Sequence, residues 1–389
     1  MEKSEDQSLV PRSPDGAASV GDKSQRLIKR MTEDALNVIE KSQRDLAPVM
    51  RQLGDYALHE EDYEQLHIWA RDFTEDGYPI TALAVADLLR GDKKREYDFD
   101  EWVTDVGQEP SWLEKGRIVR ASFDNLNDEV SIKRIDLSLI PALKHLECEY
   151  NQLNEIDLSN VPELTRLHCC ANSLTKIDLS NIPELTWLAC TGTAGPISDQ
   201  SSKCYFLTEL DLSKVPKLKG LNCNSNKLKE LNLSGVPALK HLQCCFNGLT
   251  ELNLTDVPEL MRLECRMNDL EELDLSNVPR LTSLMCYKTQ LTELDLSNVI
   301  NLTYLNCTDN WIVELNLSNV PELIELYCGN NQVAELNLKK VPKLRELSCH
   351  GNQVTKLDIR DCKALERLYC DQAVTIIKNP DQNVEVNLA

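Results

Sequence analysis

The residues of this chain best equipped for chemistry are its fifteen cysteines and six histidines. A thiolate is a nucleophile, and cysteine with histidine can hold a transition metal, so the spacing of these residues decides what they do. Eleven of the cysteines, Cys148, Cys169, Cys190, Cys223, Cys244, Cys265, Cys286, Cys307, Cys328, Cys349 and Cys370, recur in one slot of a repeat. That regularity reads as a row of small buried hydrophobes, not as a disulfide scaffold, and it implies a reducing, cytoplasmic compartment. Cys204, beside Lys203 in a predicted loop, is the candidate nucleophile for a thiol enzyme, but no histidine is locally placed as its base. Cys170 and Cys245 fall three predicted strands apart, too far at about 4.8 Å per strand to share a metal ion.

A second row stacks Asp136, Asp157, Asp178, Asp211, Asn232, Asn253, Asp274, Asp295, Asn316, Asn337 and Asp358. A calcium stripe needs about six to eight oxygens per ion and glycine-rich loops to supply them, so this row reads as a solvated face. No P-loop, dinucleotide-binding glycine motif, H-E-x-x-H or G-x-S-x-G occurs. The expectation is therefore no catalytic residue, no metal and no cofactor.

Both rows are products of a period of 21 residues, L-x-x-L-x-C-x-x-N-x-L-x-x-L-x-L-S-N-V-P-x. Copies begin at Leu143, Leu164, Leu185, Leu218, Leu239, Leu260, Leu281, Leu302, Leu323, Leu344 and Leu365, after a half-copy holding Ile132, Ile135, Leu137 and Pro141. One such coil cannot bury its own apolar edge, whereas a stack of them pairs strands and makes one continuous leucine core. The asparagines that follow each cysteine, from Asn151 to Asn352, are placed to satisfy turn backbone groups. Thr289 and Ala373 break that slot, and Ile300 and Lys363 break the proline slot. The second half-repeat, such as Leu294 to Val299, alternates with period 2 and predicts a short second strand on the opposite face.

With these residues in view, the segment resembles bacterial leucine-rich-repeat proteins of the 21-residue class called IRREKO. The resemblance covers about two thirds of the chain and implies a solenoid with a binding role, without naming a partner. The predicted fold class is α+β: a small N-terminal helical domain, then a solenoid with a parallel sheet on its concave face. Residues 1–22 read as a disordered leader. Residues 23–107 read as helical, with helices from Ser24 through Ile39, near Asp45 to Leu58, Asp62 to Phe73 and Pro79 to Leu89. Residues 108–131 form a linker and cap with Trp112, Ile118, Val119 and Phe123, residues 132–372 the solenoid, and residues 373–389 a C-terminal cap. The copy at Leu185 carries an insertion over 191–206.

Leucines and cysteines face the core, so the slots between them face solvent and record selection for contact. Those slots supply the candidate partner-binding set: Tyr150, Arg166, His168, Trp187, His241, Phe246, Arg262, Arg266, Met285, Tyr287, Tyr304, Tyr327 and Tyr369. Aromatics make up only 5% of the chain, so their concentration here selects this face as an interface. The formal charge of −21 disfavours nucleic acid and anionic membrane as partners. A non-catalytic module that binds protein is the first expectation. Its rivals are a secreted effector exported by the polar leader and acting in a host cell, a thiol enzyme at Cys204, and an acidic mimic of nucleic acid.

Overall fold

The computed structural model describes residues 50–53, 56–75, 113–114, 117–123, 132–192 and 206–388. The predicted leader, the helices from Ser24 and over Pro79 to Leu89, Trp112 and the loop with Cys204 lie outside the described residues. The chain divides into two compact units, Met1–Arg51 and Gln52–Ala389, and the solenoid belongs to the second.

The solenoid is built on a sheet of thirteen short strands among the described residues. It begins at Arg120–Ser122, takes one strand from each copy of the repeat, and ends at Glu385–Leu388. Numbering coils by their leading leucine, from coil 1 at Leu143 to coil 11 at Leu365, each strand pairs in parallel with the same slot of the next. Thus Leu242 of coil 5 stands opposite Leu221 and Leu263. Strands of three residues cannot persist alone; they hold because the leucines beneath them, each 0–8% exposed, form one core, at about 1.5–3 kcal/mol per buried side chain.

The eleven repeat cysteines lie in that core, all buried. The thiols of Cys148, Cys169, Cys223 and Cys244 also reach the next coil: Cys148 Sγ donates to the His168 carbonyl at 3.4 Å, and Cys244 Sγ to that of Glu264 at 3.5 Å. Burial pushes these thiols up, to about 12 for Cys169, Cys223 and Cys307. A thiol so placed is scarcely a nucleophile near neutral pH.

The asparagine slot bridges two coils. Asn331 Nδ2 donates to the carbonyls of Cys307 in the preceding coil (3.0 Å) and Cys328 in its own (3.1 Å), while Oδ1 accepts the Ile312 N–H at 3.0 Å. Just before it the backbone turns left-handed, with φ of 52–56° at Tyr150, Ala171, Ser225, Phe246, Met267, Lys288, Asp309 and Asn330. Gly351 takes the same place in coil 10 with φ of 65°.

On the opposite face the expected second strand is realised as a ladder where Lys356–Asp358 pairs with Thr375–Ile377. In the other coils the same segment runs between turns. The Asp/Asn row closes the turn there: each side-chain Oδ1 accepts the N–H two residues on, as in Asp157 to Ser159 (2.9 Å), Asn253 to Thr255 (2.9 Å) and Asp295 to Ser297 (2.9 Å). Aspartate and asparagine serve equally as acceptors, which is why they interchange. The proline that follows sits second in a turn closed from Val161 to Leu164, where its fixed φ fits.

At the N-terminal end the predicted helix over 62–73 is found as Glu60–Glu75, with Glu60, Glu61 and Asp62 suited to its first turn. One helical face, Asp62, Gln65 and Trp69, closes the stack. Asp62 accepts the Ile118 N–H (3.0 Å), Gln65 accepts the Leu139 N–H (2.9 Å) and donates to the Asp136 carbonyl (2.9 Å), and Trp69 meets Phe123 edge-on at 4.9 Å. Ile118, Val119 and Phe123 are buried there. The described residues of the helix predicted near Asp45 to Leu58 differ from it: Met50–Leu53 and Tyr56–His59 are strands of a two-stranded sheet. Gly54 is a poor helix former, which weighs against the helical spacing there. At the far end Val374 and Val384 are buried and Leu388 is exposed.

Coil 7 tests the asparagine account. Its slot holds Thr289, whose single hydroxyl proton serves Cys286 O at 2.9 Å or Asn310 Oδ1 at 2.7 Å and leaves no donor for the preceding coil. Thr289→Asn restores the missing rung and is expected to raise unfolding free energy by about 1 kcal/mol, whereas Asn310→Ala lowers it by at least about 2 kcal/mol. Urea titration of both variants decides it; a neutral or destabilising Thr289→Asn contradicts the account.

Candidate binding face

Within each coil, three slots project from the sheet away from the core: the two strand residues that flank the fourth-position leucine, and the residue after the cysteine. In coils 3–8 these hold Trp187, Ala189, Thr191, Gly220, Asn222, Asn224, His241, Gln243, Cys245, Arg262, Glu264, Arg266, Ser283, Met285, Tyr287, Tyr304, Asn306 and Thr308. Three of the eighteen are charged, on a chain that is 27% charged, so the centre of the face is depleted in charge as interface cores are.

Trp187 lies across the neighbouring strand. A Cβ on Gly220, its partner in register, would come within 2.0 Å of the indole ring, so only glycine leaves room for that pose. The ring meets the imidazole of His241 at 6.4 Å between centroids. Beside them opens a small cleft, walled by Trp187, His241, Gln243, Arg262 and Glu264 over a floor of Leu221 and Leu242. Gln243 Nε2 donates to Glu264 Oε1 at 2.9 Å, and Glu264, 7% exposed, has Arg266 Nη1 4.0 Å from its other oxygen.

The Arg266 guanidinium is layered between two rings, 5.3 Å from the centroid of Tyr287 and 5.7 Å from that of Phe246. Farther along, Tyr304 and Tyr327 approach at 5.7 Å, and the Tyr327 hydroxyl donates to Glu325 Oε2 at 3.0 Å. Burial and the adjacent Glu325 and Glu346 push that phenol up, so it stays a donor.

The structure thus gathers Trp187, His241 and Arg262 at the cleft and Phe246, Arg266 and Tyr287 in the stack, with Met285 opposite Glu264 in register. Arg166 stands opposite Trp187, and His168 lies on the same strand. Tyr369 stands apart in coil 11. Tyr150 and Phe246 differ from expectation: they sit not on strands but at the left-handed turn that ends them, 48% and 45% exposed. Sequence reasoning missed Gln243 and Gly220; a lone glycine in a slot of large residues, one coil from a tryptophan, was the available signal. Among the described residues no three His, Cys, Asp or Glu side chains converge as a metal site requires.

His241 supplies a pH test. Burial, then the charges of Arg262 and Lys240, lower its imidazole from 6.5 to about 4. Between those values the unfolded chain binds a proton that the folded chain refuses, so stability falls as pH drops from 6.5 towards 4. The Asp residues of the opposite face, held below 3.8 by hydrogen bonds from Ser159, Ser180 and Ser213, lose their contribution only below that window. Urea midpoints at pH 7, 5.5 and 4.5 are expected to fall less steeply in His241→Gln than in the wild type; parallel profiles contradict this.

No sequence family and no curated protein matches the chain. Solved structures do. The functional domain of InlJ from Listeria monocytogenes, which includes a cysteine ladder, is 31% identical over 65% of this chain and 58% of that one, with a TM-score of 0.54. The chain therefore spans less than two thirds of that domain. YopM from Yersinia enterocolitica is 24% identical, covers 71% of this chain and 63% of its own, and has a TM-score of 0.52. TLR13, in complex with the RNA ssRNA13, is 18% identical over 70% of this chain and 43% of its own, at 0.53. Parallel strands at a 21-residue period, a buried cysteine row and these neighbours agree: the chain folds as a leucine-rich-repeat solenoid.

Proposed function

We propose that the chain is a non-catalytic module that holds a protein partner against the sheet face, centred on coils 3–8. The observation that carries this reading is the rim beside the Arg266 stack. Phe246 and Met267, 45% and 37% exposed, are large apolar side chains in left-handed backbone, where glycine is cheaper by about 1 kcal/mol. Neither core packing nor backbone geometry selects them. Exposed aromatic and methionine side chains around a partly buried arginine, at the edge of a charge-poor face, are residue types that anchor protein partners.

A protein is favoured over nucleic acid by the formal charge of −21, although TLR13 shows an RNA complex formed by a protein of this fold. The eleven buried thiols, all unpaired, support a reducing, cytoplasmic setting. Their raised pKa values leave no activated nucleophile in the row, which supports a role without chemistry.

The test pairs stability with contact. In Phe246→Gly/Met267→Gly, relief of backbone strain outweighs the lost ring contact of Arg266, which is worth about 0.5–1 kcal/mol, so its thermal midpoint is expected to equal or exceed that of the wild type. A photo-reactive residue at Tyr287 should crosslink a protein partner in the wild type and cease to do so in the double variant, while the same residue at Asn253, on the opposite face, crosslinks none. Undiminished crosslinking at Tyr287 in the double variant, or equal crosslinking from Asn253, contradicts the reading.

A further inference from the structure

Three side-chain atoms on the central sheet face are buried without a hydrogen-bond partner: Nδ1 of His241, Oε1 of Gln243 and Nε of Arg266. Unpaired buried polar atoms are uncommon and costly in folded proteins, so three within two adjacent coils call for an explanation in function. Two of them, on His241 and Gln243, line the cleft beside Trp187, and Arg266 stands at its edge against Glu264, which also lines it.

Two of their hydrogen-bonding senses are fixed. Gln243 spends its Nε2 on Glu264 Oε1, and turning the amide over would set oxygen against oxygen, so Oε1 is the atom left to accept. Arg266 is held by the rings of Phe246 and Tyr287, and its Nε–H is a donor. His241 is neutral at physiological pH, so Nδ1 accepts, or donates in the other tautomer. The cleft therefore asks for an acceptor and a donor on one group. An anion entering it meets Gln243 Oε1 and the Glu264 carboxylate, and a cation meets Arg262, so a neutral group is selected.

A peptide main chain could offer the same pair of functions, but it has no ladder to join. The backbone of His241–Gln243 already pairs with Gly220–Asn222 on one side and Arg262–Glu264 on the other. The unpaired atoms are on side chains standing off the sheet, where a partner's side chain reaches them. Trp187, laid flat over Gly220, gives one wall of the cleft an apolar surface.

We infer that the cleft receives the carboxamide of an asparagine or glutamine from an extended polypeptide partner, with an apolar residue of that partner against Trp187. The inference rests on the reading of the face as a protein-binding surface and names what that surface selects.

The test uses the full chain and a random dodecapeptide library displayed on phage. Selected peptides are expected to share Asn or Gln beside an aromatic or aliphatic residue. As synthetic peptides they should lose about tenfold or more in affinity when that residue becomes Asp, and a similar factor against Gln243→Met. Arg266→Lys keeps the charge without Nε–H and is expected to weaken binding likewise; it decides the matter if Gln243→Met lowers the thermal midpoint. Peptides that need Phe246 and Met267 but show no carboxamide, or tolerate Asp in its place, overturn the inference and leave the interaction reading standing. If no selected peptide depends on Phe246 and Met267, both fall.

Discussion

Everything in this molecule depends on finding partners for backbone groups that coils of 21 residues leave unpaired. Strands of three residues close a few ladder bonds per coil, and the chain must then leave the sheet, turn and return with its amides satisfied. The asparagine slot does this on one side, where a single carboxamide ties its own cysteine carbonyl to that of the preceding coil and accepts an N–H from that coil as well. On the other side a carboxylate or carboxamide closes a turn on the N–H two residues ahead. Both devices recur at fixed positions. That fixes the register, and the register stacks leucine on leucine and thiol on thiol.

A consequence is that function is confined to what the stack does not use. Leucine, cysteine, asparagine and proline slots are spoken for in nearly every coil, leaving the three outward slots and the left-handed turn beside them free to vary. Coils 5 and 6 combine the features that folding alone does not demand: Phe246 and Met267 in strained backbone, Arg266 between two rings, Glu264 almost fully buried beside it, and a cleft under Trp187. The salt bridges Lys217–Glu184 and Arg345–Glu366 lie elsewhere, between exposed residues one coil apart, and surface pairs of that kind contribute little to stability.

Much of this was legible in the sequence because a period repeated eleven times averages out local noise. The inward direction of Cys148 through Cys370 followed from alternation with leucine, and the role of Asn151 through Asn352 from the need for a turn partner. What escaped was what a period cannot encode. The row from Asp136 to Asp358 is the solvated face its composition suggests, but its second role escaped, because its partner, an N–H two residues on, belongs to every residue and leaves no mark in composition. Tyr150 and Phe246 read as strand residues because left-handed backbone at a tyrosine or phenylalanine is rare, and here the asparagine that follows imposes it. The cleft stayed hidden because it is formed by Trp187 folding over an absent side chain at Gly220, a contact between slots rather than a property of either. Before the repeat begins, no period disciplines the reading, and a helix was expected where Met50–Leu53 and Tyr56–His59 are strands.

The central claim is that thiols and leucines share one dry interior that opens only when the stack does. Pulsed alkylation with N-ethylmaleimide, read cysteine by cysteine by mass spectrometry across a urea series, measures this directly. The ladder cysteines from Cys169 to Cys349 should resist labelling in the native state and become reactive together, at the urea concentration where far-ultraviolet dichroism reports loss of the sheet. Labelling of any of them in native buffer at the rate of a free thiol in solution would contradict the account.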